Sequence, residues 1–238
     1  MELQRLYSYT RRALDDYGMI QPGDTIAVGI SGGKDSLALL YSLAGLRRFY
    51  PNSFHLTAIT VDLGYDSFDT DNIAALCQTL DVPYHVITTQ IRDIVWKEHA
   101  QENPCSLCAK LRKGALNDAA KALGCNKIAY GHHREDMLET MLLSLLFEGR
   151  FHTFSPVTHL DRTGLTVIRP LMYVSASEVI GFQHKYQLPV QHNPCPADGY
   201  TKRQYVKDLL SEINRDNPGV KDRMFTAILN GLILDKER

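Results

Sequence analysis

Thr25-Ile26-Ala27-Val28-Gly29-Ile30 runs straight into Ser31-Gly32-Gly33-Lys34-Asp35-Ser36, after which Leu37, Leu40, Tyr41 and Ala44 recur at helical spacing. A β-branched run, a glycine turn and a helix in immediate succession form the opening unit of an α/β fold. The turn is chemically specific. Paired glycines let the backbone turn tightly and approach a ligand closely. The helix start presents unpaired N–H groups and a partial positive charge, and the two serines add hydroxyl donors. Such a turn cradles an anion. It is not a Walker loop, where Gly-Lys precedes Ser or Thr, because Asp35 follows Lys34; Gly29-Ile30-Ser31 likewise breaks the dinucleotide fingerprint. A plain glycine turn with a Ser or Asp helix cap is the competing reading, and the strand before it and helix after it count against that.

Three more short runs extend the pattern: Leu56 to Val61, Tyr84 to Thr88, and Lys127 to Tyr130. Helical spacing separates them, at Ile73, Leu76 and Leu80, then at Leu111, Ala115, Ala119 and Leu123. Strand, helix and strand in alternation predict an α/β fold with an open parallel sheet, helices on both faces, and ligands at the carboxyl ends of the strands. An N-terminal helix, roughly Glu2 to Asp16, is expected outside the sheet. Beyond Gly149 the pattern becomes loop-like, with one β-like segment ending at Thr166 to Ile168. Helices follow near 175–187, 201–213 and 220–234, the first opened by a Ser175/Glu178 capping box. Pro189, Pro194, Pro196 and Gly199 mark a turn-rich connection. The expected organisation is an N-terminal helix (1–23), an α/β nucleotide-binding domain (24–172) and a helical C-terminal extension (173–238).

The 238 residues are 44% apolar and 22% charged, with 26 basic against 27 acidic side chains. That composition suits one full globular domain plus an appendage and excludes a disulfide-stapled miniprotein. No stretch reaches the ~18 apolar residues of a membrane span, and the first residues lack a signal-peptide block. A cytoplasmic protein without membrane contact is expected. Near-neutral charge argues against a purely electrostatic nucleic-acid binder and leaves room for a local basic patch.

Five cysteines in a reduced compartment make a disulfide framework improbable and point to metal or redox chemistry. Cys105-Ser106-Leu107-Cys108 brings two thiolates within reach of one centre, and Cys195 supplies a distant third. Three thiolates can hold a cubane cluster and leave one iron without a protein ligand. A structural zinc on Cys105, Cys108, Cys195 and His192 is the rival reading. A thioredoxin-type pair is poorly supported, because the CxxC precedes a predicted helix in an acidic, proline-containing stretch. Cys77 and Cys125, among apolar neighbours, are read as buried packing thiols.

Gly131-His132-His133-Arg134-Glu135-Asp136 follows the strand at Lys127 to Tyr130, so it shares the carboxyl edge with the phosphate loop. These side chains can bind metal, position a nucleotide or exchange protons; the competing reading is the polar first turn of a helix from Glu135 to Leu146. Arg112 lies one turn beyond Cys108 and faces the same site, whereas Lys110 and Lys113 read equally well as a solvated face. Asp62, past the second strand, either meets a nucleotide or caps a turn. Thr201-Lys202-Arg203 is the candidate RNA contact near Cys195.

The Ser-Gly-Gly-Lys-Asp-Ser loop resembles the signature of the PP-loop, or N-type, ATP pyrophosphatases, Ser-Gly-Gly-x-Asp-Ser after the first strand. The resemblance implies that Ser31, Gly32, Gly33, Lys34, Asp35 and Ser36 grip ATP, that chemistry occurs at the α-phosphate, and that pyrophosphate leaves. Lys34 occupies the variable position. Asp35, an acid beside an anion site, makes electrostatic sense with a Mg²⁺ joining it to the phosphates. Together with Cys105 to Gly114, Gly131 to Thr140 and Ile168-Arg169-Pro170-Leu171, the chain is similar to the TtcA group of tRNA 2-thiocytidine synthetases from about Asp24 to Leu232.

Membership implies an oxygen-sensitive 4Fe-4S cluster on Cys105, Cys108 and Cys195. It also implies ATP- and Mg²⁺-dependent replacement of the C2 oxygen of an anticodon-loop cytidine, position 32, by sulfur. Asp136 becomes the leading catalytic or Mg²⁺-linked carboxylate, with Asp35 and Arg112 beside it; Asp62, Gly131 and His132 join the nucleotide-binding set. The implied partners are tRNA, a sulfur donor such as a cysteine desulfurase or free sulfide, and a second copy in a homodimer. Two alternatives remain: a PP-loop ATPase that thiolates another base or a small molecule, and a zinc-stabilised tRNA- or nucleotide-binding protein without turnover.

Overall fold

Strand β1 (Asp24–Gly29) occupies the middle of a six-stranded sheet ordered β3-β2-β1-β4-β6-β5. This is a computed structural model, and it describes residues 1–65, 68–98, 104–192, 194–196 and 201–236, without the side chains of 97–98 and 232–236. Strands β2 (Phe54–Asp62) and β4 (Lys127–Ala129) flank β1 in parallel, with Ile26 opposite Leu56 on one side and Lys127 on the other. β3 (Tyr84–Thr88) adds to β2 in parallel. Ile26, Ala27 and Val28 are fully buried, which is why the central strand reads as a continuous apolar run without alternation.

The chain first moves outward from β1 to β2 and β3, then returns to place β4 on the other side of β1. The order therefore reverses between β1 and β4, and a crevice opens beyond their carboxyl ends. The opposite ends are pinned. Lys127 Nζ lies 2.7 Å from Asp24 Oδ2 and donates to the Met19 carbonyl at 2.8 Å. Burial pushes the Asp24 carboxyl up, but Lys127, the Gln21 N–H and Asn126 together hold it below its ordinary value.

The second half of the sheet departs from expectation. In place of a single β-like segment in a loop, β5 (Val157–Leu160) and β6 (Leu165–Ile168) form an antiparallel hairpin. Its turn ends at Gly164, with φ +70° and its N–H donated to the Leu160 carbonyl at 2.8 Å. β6 continues the parallel ladder beside β4, and β5 closes the edge, so the sheet is parallel except for that strand. Each strand has only four residues, too few for alternation to distinguish strand from loop.

One face is covered by α2 (Lys34–Leu46), with α1 (Leu3–Asp16) and α7 (Ala176–Tyr186) packed over it. Nine residues of α2 are buried, the mark of a helix enclosed on most sides. The other face carries α5 (Pro104–Ala122), whose Leu116 and Ala120 join Ala27, Ile59 and Ile128 in a smaller core. Between them come α3 (Asp71–Thr79) and a short α4 (Ile91–Asp93) that continues as a π-helical turn (Ile94–Glu98). α6 (Arg134–Glu148) packs with α8 (Lys202–Asp216) and α9 (Val220–Lys236).

The Ser175 capping box is formed: Glu178 N–H donates to Ser175 Oγ at 3.3 Å, and Ser175 N–H donates to Glu178 Oε2 at 3.0 Å. Val179, Phe182, Val206, Leu210 and Phe225 from the C-terminal helices are buried in the same core cluster as α2. Of the turn residues expected after α7, Gly199 lies outside the described residues. Among the described residues no helix is long and apolar enough to cross a membrane.

Candidate active site

The phosphate-loop side of the crevice is held together by its own residues. Gly32 sits at φ +78°, a conformation L side chains rarely adopt, and Gly33 is the extended N-cap of α2. Ser36 Oγ donates to the Gly33 carbonyl at 2.8 Å and accepts from Ser31 N–H at 3.2 Å; Gly33 N–H donates to Ser31 Oγ at 3.3 Å. Lys34 Nζ lies 2.8 Å from Asp35 Oδ2, so its charge is directed at Asp35. The loop after β4 presses directly on this turn. A Cβ at Gly131 would lie 2.8 Å from the Asp35 carbonyl carbon and oxygen, so only glycine permits the approach.

The histidine and carboxylate residues after β4 divide by function in packing. His132 lines the crevice, stacked on Phe154 with ring centroids 4.8 Å apart, and its Nδ1 accepts from Arg169 Nε at 3.3 Å. Burial lowers His132 to about 4, against the opposing pull of Asp136 and with Arg169 and Arg203 adding to the depression. His132 is therefore neutral near pH 7, and acceptance at Nδ1 places its proton on Nε2. His133, the N-cap of α6, is buried 3.7 Å from Asp35 Oδ1 and 3.4 Å from Asp136 Oδ2. Asp136 Oδ2 also accepts from His133 N–H at 2.8 Å, so this carboxylate caps the helix and lines the crevice at once. Arg134 and Glu135 serve packing. Arg134 pairs with Asp222 at 2.6 Å, and Glu135 accepts from Ala176 N–H at 2.7 Å.

The thiol side differs from expectation in one respect: the CxxC lies inside the first turn of α5, with Pro104 at the first helical position, rather than ahead of the helix. Proline belongs there because its missing N–H has no partner in a first turn. Cys105 and Cys108, three residues apart, share a face, and Arg112 follows one turn later. Burial pushes the Cys108 thiol up, with Arg112 opposing and Cys195 and Cys105 adding, so both other sulfurs act on Cys108. Cys195 also hydrogen-bonds Tyr65, whose hydroxyl accepts from Trp96 Nε1 at 3.0 Å.

The segment that delivers Cys195 crosses the phosphate loop. Gln191 N–H donates to the Gly32 carbonyl at 2.9 Å, and a Cβ at Gly32 would meet Gln191 and Phe68 at 3.0 Å. Among the described residues, no group of three or more His, Cys, Asp or Glu is gathered closely enough to hold a single metal ion. Cys77 and Cys125 are buried elsewhere, and burial pushes Cys77 up to about 11.

These walls enclose a cavity of about 680 Å³. Ser31, Gly33, Asp35 and Ser36 line it from the phosphate loop, Asp62 and Tyr65 from past β2, Gly131, His132 and Asp136 from past β4, and Arg169 from past β6. Ala109, Arg112 and Lys113, just beyond the CxxC, and His192 and Pro194, just before Cys195, complete it.

Residues 5–212 match the family model ATP_bind_3, a PP-loop domain. Over 222 residues the chain is 42% identical to the tRNA-cytidine(32) 2-sulfurtransferase of Geobacter sulfurreducens, covering 92% of this chain and 86% of that one. The chain belongs to the PP-loop tRNA-cytidine(32) 2-sulfurtransferase family. The family enzyme of Pelobacter propionicus is 40% identical over 230 residues, with 95% and 86% covered. Among solved structures, the Methanococcus maripaludis U34-tRNA thiolase NcsA, determined with its [4Fe-4S] cluster, superimposes with TM-score 0.76 at 24% identity, covering 95% of this chain and 78% of that one. That likeness shows the PP-loop fold.

Most of the expected PP-loop site residues meet at the cavity. Ser31, Gly33, Asp35, Ser36, Asp62, Arg112, Gly131, His132 and Asp136 all line it. Gly32 instead contributes the carbonyl that holds the Cys195 segment, and Lys34 turns to Asp35. For Asp62 both readings hold, since Oδ1 accepts from Gly64 N–H at 2.9 Å while the residue lines the cavity. Arg203 of the expected RNA contact lies 3.2 Å from buried Glu139 and 3.6 Å from Asp136, committed to this wall. Sequence reasoning missed Tyr65, Phe68 and Gln191. Tyr65 and Phe68 follow β2 at the carboxyl edge, a positional signal; Gln191 carries none.

Proposed function

We propose that this protein is an ATP- and Mg²⁺-dependent tRNA sulfurtransferase that replaces the C2 oxygen of cytidine 32 with sulfur. The observation that carries the proposal is the crossing of two segments. The backbone bond from Gln191 to Gly32 puts the segment before Cys195 on the phosphate loop, so the neighbours of the thiols, Ala109, Arg112, His192 and Pro194, line one cavity with the anion cradle.

The C2 carbonyl of cytosine is flanked by two ring nitrogens, so it is a poor electrophile with a poor leaving group. Activation has to come first. The O2 atom attacks the α-phosphorus of ATP, pyrophosphate departs, and AMP remains on the oxygen. The open N–H groups at the start of α2 and the hydroxyls of Ser31 and Ser36 bind the phosphates. Asp35 and Asp136, each within 3.7 Å of His133, would hold a Mg²⁺ that offsets phosphate charge. Neutral His132 has its Nδ1 lone pair occupied by Arg169, which leaves Nε2–H as the group it can donate. Arg112 offsets negative charge on the adenylated base or an RNA phosphate.

Cys105, Cys108 and Cys195 would hold a 4Fe-4S cluster, three donors leaving one iron without a protein ligand; when bound it would supply a site for sulfide. The thiols suit it chemically, being free of disulfides and at least partly exposed, with Cys105 and Cys195 both acting on Cys108. Sulfur bonds to C2, the C2–O bond breaks, and AMP leaves with the oxygen. The base must be unpaired to enter, which an anticodon loop permits at low cost.

Two measurements test the reading. Anaerobic purification is expected to yield a brown protein containing iron and acid-labile sulfide, whereas a colourless zinc protein rejects the cluster. Nucleoside mass spectrometry of tRNA from a deletion strain is expected to show loss of 2-thiocytidine; unchanged 2-thiocytidine rejects the substrate.

A further inference from the structure

Among the described residues, Arg169 is a buried cation whose charge meets no carboxylate. Its relative exposure is 9%, and its recorded contacts are neutral. Nε donates to His132 Nδ1 at 3.3 Å; one terminal nitrogen donates to the Ser155 carbonyl at 2.6 Å and to Thr158 Oγ1 at 3.1 Å; the guanidinium carbon lies 4.8 Å from the centre of the Phe154 ring. The second terminal nitrogen makes no hydrogen bond to the described residues. Other cations with little exposure are paired differently: Lys127 with Asp24, and Arg134 with Asp222 and Glu135. Burying a charge without an opposite charge is costly, and a fold retains such a group where a ligand completes it.

The position narrows the ligand. Arg169 directly follows β6 at the carboxyl edge and lines, beside His132, the same cavity as the phosphate loop. A guanidinium presents a planar fork suited to phosphoryl oxygens, and here one arm is fixed by neutral acceptors while the other is unspent. We propose that Arg169 is a second phosphate-binding group of this cavity, beside the Ser31–Ser36 loop's own, taking a phosphoryl oxygen of the nucleotide or of the RNA backbone. Burial lowers its pKa to about 10, which leaves it charged near neutral pH. Its Nε bond also keeps His132 in the tautomer that donates from Nε2, so binding and donor orientation are joined in one side chain.

This inference rests on the reading of the cavity as the nucleotide and tRNA site. The test titrates the full native chain and Arg169→Gln with α,β-methylene-ATP plus Mg²⁺, and separately with unmodified tRNA. If the phosphate belongs to the nucleotide, Arg169→Gln weakens the ATP analogue by about 10- to 100-fold and leaves tRNA unchanged. If it belongs to RNA, tRNA binding weakens, and the slope of log K against log salt falls by about one. Native-like affinity for both ligands overturns the inference while leaving the site reading intact; a native chain that binds neither ligand rejects both. Should Arg169→Gln not fold, the Nε–H resonance of Arg169 in the labelled native chain decides the same question. It is expected to shift on saturation with one of the two ligands, and no shift with either overturns the proposal.

Discussion

The two functional walls of the site are built in opposite ways. The phosphate loop is six consecutive residues bonded to one another through Ser31, Gly33 and Ser36, so its shape is largely a local property. The thiol wall draws Cys105 and Cys108 from the first turn of α5 and Cys195 from a segment far along the chain, which is fastened by Gln191 to Gly32. A local device tolerates change elsewhere in the fold, whereas an assembled one fails with any of its supports. The nucleotide half and the sulfur half should therefore respond separately to mutation.

The sharpest test of that separation is Cys108→Ala, expected to abolish thiolation while ATP binding persists. Thiolation at the native rate would remove the thiol wall from the chemistry. The converse change, Asp35→Ala, is expected to cut Mg²⁺-dependent turnover by about 100-fold or more while iron content is retained; iron loss would show that the walls are not independent. Gly131→Ala drives a Cβ against the Asp35 backbone and is expected to destabilise the chain by about 1–3 kcal/mol in denaturant unfolding. A native midpoint would mean the approach of the β4–α6 loop is not tight.

Gly32→Ala probes the junction itself, where a positive φ and contacts with Gln191 and Phe68 both resist a side chain. A cost of about 1–2 kcal/mol is expected, together with lower iron retention after anaerobic dialysis; full retention would show that the junction does not hold the thiol wall. The smallest effect is a pH slope. His132 has its pKa lowered to about 4 by burial, so between its ordinary value and 4 the unfolded chain binds the extra proton. Stability is therefore complete above that window and falls on acidification through it. His132→Asn is expected to flatten this part of the curve in urea melts at graded pH, and an unchanged slope would assign it to another group.

Much of the framework is legible in the sequence because it depends on near neighbours. The parallel strands, the helices between them and the Ser175 capping box follow from apolar runs, helical spacing and side-chain chemistry within a few positions. The β5–β6 hairpin is not legible in this way, because two four-residue strands offer almost no periodicity, although Gly164 marks their turn. Cys-Ser-Leu-Cys has little helical pattern, so the CxxC reads as lying ahead of a helix; Pro104 at the first helical position is the signal that it lies inside one. Asp62 and Asp136 resist a single reading for a sound reason, since each forms a local turn or cap while also facing the cavity.

What the sequence alone determined was an anion-binding turn between strand and helix, because the conformational freedom of glycine and the hydroxyls of serine act over a handful of adjacent positions. It also determined which side chains have metal and acid–base chemistry available. Only the tertiary structure decided that Cys195 lies near enough to Cys108 to act on it, that Gly131 abuts Asp35, and that Arg169 lies buried among neutral partners. Those are long-range contacts, set by how strands order in the sheet and which backbone groups meet across it, and residue spacing along the chain does not encode that meeting in any local form.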